Sequence, residues 1–382
     1  MPQRPSYYLL DSSNHISLFT MTAVSADIPL IDINASDQAT VARQLVEGAE
    51  KHGFIYIRNL GKDIPVGQIN RTFEISAKLF GASIEEKTTC TIQANNRGWS
   101  GMHSETLDPS NQKVCKTNTT RNYLMLTYIC QRGDFKEAFN FGEFINGKAD
   151  QPLPPTIQPD EDDLYTFRES CQALCMKLLG LLGQGLQIGE FFSKAHVTTP
   201  GGSATILRLL RYPAPDSTSH STDDVRAGAH SDYGSITLLF RLKGQAGLEI
   251  QKQDNTWAPV PVNPPGTEND PSPPILINIG DLLSYWTNGL FRSTVHRVVF
   301  ANEAGQTIAG EVNTGPRYSI AFFCHPAGST QLEAVPSERV ANFAPTGVVD
   351  NPHAVKSVMT ADEHLQMRLR ASYGILPDDK KK

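Results

Sequence analysis

Residues 229–235 read AHSDYGS and run directly into the apolar segment ITLLF at residues 236–240. Short apolar runs rich in β-branched residues favour a buried strand. His230 and Asp232 are two positions apart, and residues i and i+2 of a strand point to the same face. Both side chains could therefore reach one ion. Two ligands do not complete a metal site, however, and a lone His-x-Asp is more often a hydrogen-bonded surface pair.

A second strand-like run, STVHRVVF at residues 293–300, supplies a further histidine, His296. Two imidazoles and one carboxylate form the ligand set of mononuclear non-haem Fe(II) sites, which leaves the opposite face of the metal open. Two neighbouring strands of one barrel would bring His230, Asp232 and His296 together. The chain contains 10 His, so a third histidine downstream is not specific by itself. The hypothesis of a metal triad therefore depends on a third element.

That element is PRYSIAFF at residues 316–323, which places Arg317 and Ser319 two apart on another apolar strand. An inward-facing arginine is costly unless an anionic group pairs with it. A guanidinium with a hydroxyl beside it suits the recognition of a carboxylate. A metal triad together with a buried carboxylate receptor is more specific than either part alone.

These motifs resemble the Fe(II)/2-oxoglutarate-dependent dioxygenases, in the branch that includes isopenicillin N synthase and the plant flavonoid oxygenases. Within this branch the chain looks closest to fungal thymine-hydroxylase-like enzymes and oxygenases of secondary metabolism. The resemblance covers residues 27–375, and further matching segments are 27–32 (DIPLID), 51–57 (KHGFIYI), 96–99 (NRGW), 208–213 (RLLRYP) and 278–281 (NIGD). It implies a mainly β protein with flanking helices and a double-stranded β-helix, or jelly-roll, core.

The resemblance also implies Fe(II) as the metal, with 2-oxoglutarate and O2 as co-substrates. The reaction would oxidise a small-molecule substrate, by hydroxylation or by desaturation or ring rearrangement. The metal ligands would be His230, Asp232 and His296. The distal carboxylate of 2-oxoglutarate would meet Arg317, Ser319 and Tyr212.

Two features of the sequence depart from the family pattern. Plant-type members carry an Asn two residues before the Tyr, where it contacts the other carboxylate of 2-oxoglutarate, and here that position is Leu210. This contact must come from elsewhere or be absent. The second departure is the separation of His296 and Arg317, which are 21 positions apart. Residues 301–315 are interpreted as an extended hairpin loop, which leaves the flanking strands in place.

Candidates for the substrate pocket follow from the resemblance, although each could equally cover the barrel rim. They are Arg97, Trp99, Met102, His103, Arg121 and Tyr123. The Gly-Asp of the NIGD segment, Gly280-Asp281, predicts a turn followed by a helix N-cap. The resemblance implies a structural role for this motif in the turn behind the metal. His325 is interpreted as a rim histidine that does not bind the metal.

Composition limits the class of protein. A net charge of −6 argues against binding to nucleic acid or to a membrane surface. No apolar stretch approaches the ~20 residues of a transmembrane helix, and residues 1–20 lack the pattern of a secretory signal. The six cysteines form no Cys-x-x-Cys pair, which supports neither a zinc ribbon nor a thioredoxin-type motif. Scattered cysteines of this kind fit a reducing, cytoplasmic location best. Neither the substrate nor the oligomeric state follows from the sequence.

One dioxygenase domain, residues 27–376, is expected between an N-terminal extension, 1–26, and a charged tail, 377–382. Its predicted parts are a helical N-terminal part (27–200), the jelly-roll core with the metal site (201–330) and a C-terminal helical part (331–376). Periodicity predicts the main helices at 37–52, 69–80, 164–182 and 361–373. Turn-bounded apolar runs predict core strands at 205–212, 235–242, 247–251, 257–262, 274–279, 293–300 and 317–324.

Three other functions stay open at this point. A 2-oxoglutarate-independent Fe(II) oxidase of the isopenicillin N synthase type would keep the fold and the iron, but Tyr212 and the complete Arg-x-Ser pair count moderately against it. A zinc hydrolase would suit two His and a carboxylate, but the sequence shows no helical His-x-x-x-His. A catalytically inactive barrel that binds a small ligand would have no need for an intact metal triad.

Overall fold

The computed structural model describes residues 25–108, 133–197, 202–214, 225–300, 315–344 and 358–373. The expected N-terminal extension, except residues 25 and 26, and the charged tail lie outside these ranges. Most of the loop at 301–315 lies outside them too. Among the helices of the described ranges, none is long and apolar enough to cross a membrane.

The N-terminal part alternates helices with short strands. In chain order its elements are β1 (Leu30–Ile31), α1 (Gln38–Lys51), β2 (Phe54–Ile57), α2 (Val66–Gly81), α3 (Ile84–Thr88), β3 (Gly98–Ser100), β4 (Glu137–Phe141), β5 (Phe144–Ile145), β6 (Lys148–Ala149), α4 (Glu161–Gly185) and α5 (Phe191–Ala195). The predicted helices at 37–52, 69–80 and 164–182 are confirmed as α1, α2 and α4.

The C-terminal part supplies most of the core strands. Its elements are β7 (Ile206–Tyr212), β8 (Val225–His230), β9 (Ile236–Arg241), β10 (Leu248–Gln251), β11 (Trp257–Pro259), β12 (Ile275–Ile279), α6 (Asp281–Trp286), β13 (His296–Val299), β14 (Arg317–Cys324), α7 (Glu338–Ala341) and α8 (Ala361–Tyr373). The closing helix predicted at 361–373 is confirmed as α8.

Two sheets form the core of the described residues. The larger has eight strands in the order β1-β2-β12-β9-β14-β7-β4-β3, and the smaller has four in the order β11-β10-β13-β8. All pairs are antiparallel except β1–β2. Inward side chains of both sheets meet in one apolar cluster, to which Leu210 and Ala321 contribute from the larger sheet and Leu248 and Val298 from the smaller. This architecture confirms the predicted jelly-roll core with flanking helices.

Helices cover the outer face of the larger sheet. The 25-residue α4 packs against α1, α2 and strands β9 and β14. Cys171 and Cys175 are fully buried on it, which confirms their interpretation as core residues, and burial raises the pKa of both thiols. Apolar burial of this kind is the main force that holds a helix against a sheet.

The connection from α1 to β2 requires a glycine. Asp37 starts α1 by accepting a hydrogen bond from the N–H of Thr40 at 3.1 Å. After the helix, Gly53 adopts φ +67°, and a Cβ there would lie 2.3 Å from the carbonyl oxygen of Arg292. This close approach fixes β2 beside the segment that leads into β13.

Three core strands differ from the sequence prediction, and the first is β11, which ends at Pro259 instead of residue 262. Strand β8 was not predicted, because Arg226 and Gly228 interrupt its apolar pattern, yet it pairs with β13 through an irregular register. Strand β13 begins at His296 instead of residue 293. The hydroxyls of Ser293 and Thr294 donate to Asp281 and to the carbonyl of His52, which holds this segment in a loop.

Candidate metal centre and co-substrate pocket

The two sequence-predicted histidines of the triad are direct partners in the smaller sheet. His230 ends β8 and His296 begins β13, and the two residues pair across these strands. Nδ1 of His230 lies 2.7 Å from the carbonyl oxygen of Gly228, and Nδ1 of His296 lies 3.1 Å from that of Thr294. A carbonyl only accepts, so Nδ1 carries the proton in both rings and Nε2 is left with its lone pair.

Asp232 faces the two Nε2 atoms from a turn and not from a strand, contrary to the prediction that His230 and Asp232 share one strand face. The residue lies between β8 and β9, where the chain crosses from the smaller to the larger sheet. Its Oδ1 is 3.9 Å from Nε2 of His230 and 3.8 Å from Nε2 of His296. The turn thus brings the third residue of the predicted triad to the two imidazoles, which the strand geometry of β8 alone would not.

Hydrogen bonds fix the other oxygen of this carboxylate. Oδ2 of Asp232 accepts from Oγ1 of Thr237 and from Nδ2 of Asn278, both at 2.7 Å. The main-chain N–H of Asp281 donates to the carbonyl oxygen of Asp232 at 2.7 Å. Oδ1 is therefore the carboxylate atom presented to the two imidazoles.

Asp281 braces this turn, as the structural interpretation of the NIGD segment predicted. Gly280 occupies the N-cap position and Asp281 is the first residue of α6, so the predicted turn and helix start are confirmed. The carboxylate of Asp281 accepts from Ser231 at 3.1 Å and from Ser293 at 2.6 Å, and forms an ion pair with Arg368 of α8 at 2.6 Å. The C-terminal helix is thereby tied to the loop that carries Asp232.

The electrostatics of the cluster suit a metal cation. Burial lowers the pKa of His230 to about 4, and repulsion from His296 adds to the effect, so the imidazole is neutral at physiological pH. Burial opposes ionisation of Asp232, but the two imidazoles and the bonds from Asn278 and Thr237 outweigh it and lower its pKa. Candidate ligand atoms of the three residues lie within 4.8 Å of one another, and two imidazoles with one carboxylate fit Fe(II) on one side of the ion.

The predicted carboxylate receptor lies on β7 and β14, at the buried end of the same cavity, called the closed end because Arg317 and Ser319 are each 1% exposed. Arg317 is 1% exposed; its Nε donates to the carbonyl of Gln245 at 3.2 Å and its Nη1 to Oγ of Ser319 at 3.5 Å. Its Cζ lies 4.9 Å from the ring centroid of Tyr212. Within the described ranges no carboxylate forms an ion pair with Arg317. A buried cation in this setting fits an anionic group of a ligand.

One cavity of about 1230 Å³ joins the triad to Arg317, Ser319 and Tyr212. Leu210 lines its wall, so an apolar side chain stands where plant-type relatives carry Asn. Partly or fully exposed lining residues mark its mouth, among them residues 202–204 and Leu365, Gln366 and Leu369 of α8. His325 also lines the cavity; it is 7% exposed, so it is more buried than a rim position implies, and burial lowers its pKa to about 4.

A charged wall that the sequence did not predict lies on the β4 side of the cavity. Lys136 contacts Asp134 at 2.5 Å and Glu105 at 3.1 Å, while Arg208 is ion-paired with Glu105 and donates to Asn140 at 2.7 Å. Burial alone would raise the pKa of Glu105, but Arg208 and Lys136 outweigh it and lower that pKa to about 2. Arg208, Leu210 and Tyr212 alternate along β7. Because Tyr212 was predicted to face the cavity, this alternation could have predicted that Arg208 faces it too.

The structure does not gather the predicted substrate residues around the cavity. Arg97 lines it, although its guanidinium pairs with Asp150 at 2.5 Å. Trp99 does not, because its indole donates to Glu137 at 3.1 Å and packs beside Lys87.

Two more of these candidates also lie off the cavity wall. Met102 lies in the turn after β3, and Nδ1 of His103 is held by the carbonyl of Gly133 at 3.0 Å. Neither side chain belongs to the cavity lining. Arg121 and Tyr123 fall in residues 109–132, outside the described part of the chain.

Comparison with known proteins assigns the family. The model of the 2OG-Fe(II) oxygenase superfamily matches residues 204–326, and that of the N-terminal region of non-haem dioxygenases in morphine synthesis matches residues 28–161. The chain is 32% identical to UPF0676 protein C1494.01 of Schizosaccharomyces pombe, covering 92% of this chain and 94% of that protein. It is 30% identical to the 2-oxoglutarate-dependent dioxygenase htyE of Aspergillus rugulosus, covering 79% and 87%.

Solved structures agree with this assignment. The crystal structure of the full-length thymine hydroxylase of Neurospora crassa in complex with alpha-KG is 26% identical, with a TM-score of 0.69 over 91% of this chain and 99% of that one. The complex of the same protein with alpha-KG and thymine has a TM-score of 0.68 over 92% and 100%. The 2-oxoglutarate-independent oxidase is not favoured by these relatives. The chain therefore belongs to the 2OG-Fe(II) oxygenase superfamily, and it is a 2-oxoglutarate-dependent dioxygenase that uses Fe(II) and O2.

Proposed function

We propose that His230, Asp232 and His296 hold the iron of this dioxygenase. The observation that carries the proposal is the convergence of two Nε2 atoms and Oδ1 of Asp232, with distances of 3.8 and 3.9 Å from Oδ1. Each ligand is oriented by a hydrogen bond on its opposite side, the arrangement that raises metal affinity in known sites. Three protein ligands on one side leave the other positions of the ion to the co-substrates.

We further propose that Arg317, Ser319 and Tyr212 bind the distal carboxylate of 2-oxoglutarate. Their placement at the closed end of the cavity supports this role, since the keto-acid end of the molecule would then face the triad. A guanidinium beside a hydroxyl gives charge-assisted hydrogen bonds to a carboxylate. The leucines at 210 and 239 exclude water from the space between the two ends.

The iron, when bound, supplies activation of O2 coupled to the conversion of 2-oxoglutarate to succinate and CO2. The chain's own residues orient the ligands and keep the cavity dry. We propose that the substrate lies on the mouth side of the triad, against the wall formed by Arg208 and Asn140. Hydroxylation is the expected outcome, with desaturation or ring rearrangement as alternatives, because the pocket decides which C–H bond faces the metal.

A small organic substrate of fungal secondary metabolism fits this function. The resemblance to htyE supports a fungal 2-oxoglutarate-dependent dioxygenase, and the complex of the Neurospora crassa hydroxylase with thymine shows that a structural relative takes a small polar heterocycle. A pyrimidine is therefore the first probe to use. Cavity size supports a compact ligand beside 2-oxoglutarate, since drug-sized molecules occupy pockets of roughly 300–1,000 Å³.

The direct test is succinate production. Protein reconstituted with Fe(II) is incubated with 2-oxoglutarate and O2, with and without thymine and other small heterocycles. We expect slow succinate release without substrate and stimulation by a compound that fits the cavity. Absence of succinate in every condition, from protein shown to contain iron, would contradict the proposed function. Control protein carries Asp232→Ala.

We also propose that the chain acts in the cytoplasm as one domain spanning residues 27–376. Four buried cysteines, Cys90, Cys171, Cys175 and Cys324, are free thiols, which suits a reducing compartment. Fluorescence imaging of the tagged chain tests the location; accumulation in an organelle would contradict it. Limited proteolysis tests the domain, and we expect cleavage near its two ends before cleavage inside it.

A further inference from the structure

Two more arginines lie beside Arg317 at the closed end of the cavity. Arg241 of β9 pairs with Ser319 across β14, so its side chain leaves the sheet on the same inward face as Ser319 and Arg317. Arg226 of β8 lies over the ring of Phe300, with Cζ 5.0 Å from the ring centroid. These positions bring guanidinium groups from both sheets to one end of the barrel.

Neither guanidinium has a carboxylate partner among the described residues. Arg226 is 0% exposed and Arg241 is 3% exposed. Within the part of the chain that the structure describes, each makes one hydrogen bond, to a main-chain carbonyl at 3.0 Å: Arg226 to Pro213 and Arg241 to Val260. Nε and Nη1 of Arg226, and Nε and Nη2 of Arg241, are buried without an acceptor in the described ranges. Two buried cations left in this state are costly unless a nearby anion offsets them.

The three like charges also act on one another. Burial is the main reason that the pKa of Arg226 falls to about 10, and repulsion from Arg317 contributes. Burial likewise lowers the pKa of Arg317, and the charge of Arg241 adds to this. Arg317 therefore lies within electrostatic reach of both other arginines. An anion placed against Arg317 would relieve the repulsion that all three experience.

We propose that Arg226 and Arg241 are positioning residues that act through Arg317 to hold the distal carboxylate of 2-oxoglutarate. The inference rests on the proposed role of Arg317. Neither of the two lines the cavity, so each acts by its charge at short range and not by a direct hydrogen bond. Together with Arg317 they form a cationic floor, which selects a dianionic 2-oxo acid over a monoanionic one of equal length.

The test compares two ligands that differ only in the distal carboxylate. Isothermal titration calorimetry on Mn²⁺-loaded protein gives the Kd of 2-oxoglutarate and of 2-oxopentanoate, whose chain ends in a methyl group. The ratio of the two constants isolates the contribution of the carboxylate. In Arg226→Met and in Arg241→Met we expect this ratio to fall about tenfold, by loss of one nearby charge. The Kd of 2-oxopentanoate should stay unchanged.

Charge-retaining variants separate an electrostatic role from a packing role. Arg226→Lys and Arg241→Lys should restore most of the ratio, because a charge and not a planar fork is required. Arg168→Met is the control, since Arg168 is 9% exposed but is ion-paired with Glu169 on α4 at 3.0 Å. Arg168→Met should leave the ratio of the two Kd values at the wild-type value.

The outcomes distinguish the inference from the function it rests on. Equal weakening of both ligands in the methionine variants, or lysine variants that behave like methionine, would overturn the cationic floor alone. A wild-type protein that binds neither ligand would overturn the proposed function instead. Where a methionine variant fails to fold, the corresponding glutamine variant is measured in the same way. Its ratio of the two Kd values then supports or overturns the cationic floor by the same criteria.

Discussion

The two ends of the cavity differ in how their charges are balanced. At the metal end, the atoms of the triad that face away from its centre have protein partners, including both Nδ1 atoms and Oδ2 of Asp232. At the closed end, Arg317, Arg226 and Arg241 form no ion pair with a carboxylate of the described residues. The protein alone therefore preorganises the proposed metal end, whereas the closed end would be completed by a bound anion.

This difference assigns separate properties to the two ends. We expect hydrogen bonds behind the proposed ligands to govern the affinity for the metal, because they fix tautomer and orientation before the ion arrives. We expect unbalanced positive charge to govern the choice of co-substrate, because only a dianion would reach both the metal and the proposed cationic floor. Variants at the metal end should therefore leave the choice of co-substrate unchanged, and variants at the closed end should leave the affinity for the metal unchanged.

The largest effect is expected from removal of a triad residue. His230→Ala, Asp232→Ala or His296→Ala should abolish stoichiometric Fe(II) binding and turnover, since two ligands do not hold the ion. Metal analysis after anaerobic reconstitution measures the loss. His103→Ala is the control, because that imidazole is held by Gly133 outside the cavity. Wild-type iron content in Asp232→Ala would show that the metal lies elsewhere.

Removal of the cation at the closed end should change only the co-substrate requirement. Arg317→Met is expected to raise the KM for 2-oxoglutarate by about 100-fold, the usual cost of losing one partner of a buried charge pair. Iron content should stay at the wild-type level. Arg211→Met is a matched control, because Arg211 precedes Tyr212 on β7 and pairs with Glu137 at 2.9 Å. An unchanged KM in Arg317→Met would contradict the assignment of the closed end.

Acid should destabilise the region behind the metal loop through His196. Its Nδ1 donates to the carbonyl of Phe192 at 2.7 Å, Ser235 donates to its Nε2 at 2.8 Å, and burial lowers its pKa to about 4. The unfolded chain takes up this proton below about pH 6.5, while the folded protein does so only near pH 4. The free energy of unfolding should therefore fall as pH drops through this window, by up to about 3 kcal/mol from His196.

Urea unfolding at pH 7.5 and at pH 4.5 measures this effect against a variant. His196→Gln cannot take up the proton, so its free energy of unfolding should fall less between the two pH values than that of the wild type. Titration of the other groups contributes to both proteins alike. An equal fall in the two proteins would show that His196 is not held neutral by burial.

The smallest effect is expected from one hydrogen bond behind the metal. Thr237→Val removes one of the two donors to Oδ2 of Asp232 and leaves Asn278 in place. The affinity for Fe(II) should fall by about tenfold, the lower end of the range for such partners. Competition with a chelator under anaerobic conditions gives the value, and Thr237→Ser should restore it. Wild-type affinity in Thr237→Val would mean that preorganisation of Asp232 contributes nothing.

The sequence predicted the parts of the site that follow from strand parity. His296, and Arg317 with Ser319, lie on strands whose alternation fixes the inward face. Strand alternation does not explain the position of Asp232, because this residue lies in a turn whose direction depends on Asn278 and Asp281. Those contacts join segments some 46 to 50 positions apart, a range that local periodicity does not report.

The walls of the cavity were less predictable for a related reason. Trp99 and Arg208 both lie on strands of the larger sheet, but only the second side chain lines the cavity. Which face of a strand is inward depends on the neighbours it pairs with, and Trp99 is drawn to Glu137 on the other face. The sequence contains Arg226 and Arg241, but it does not indicate that they lie near Arg317, because only the closure of the barrel brings the three together.

The proposed metal site and carboxylate receptor are tested most directly by an anaerobic titration with Fe(II) and then with 2-oxoglutarate, monitored by the visible absorbance band of the chelate. We expect one iron per chain, a band that saturates with 2-oxoglutarate, loss of the band in His230→Ala, and a shift to higher 2-oxoglutarate in Arg317→Met with iron still bound. Iron binding without a band, or a wild-type titration in Arg317→Met, would contradict this expectation.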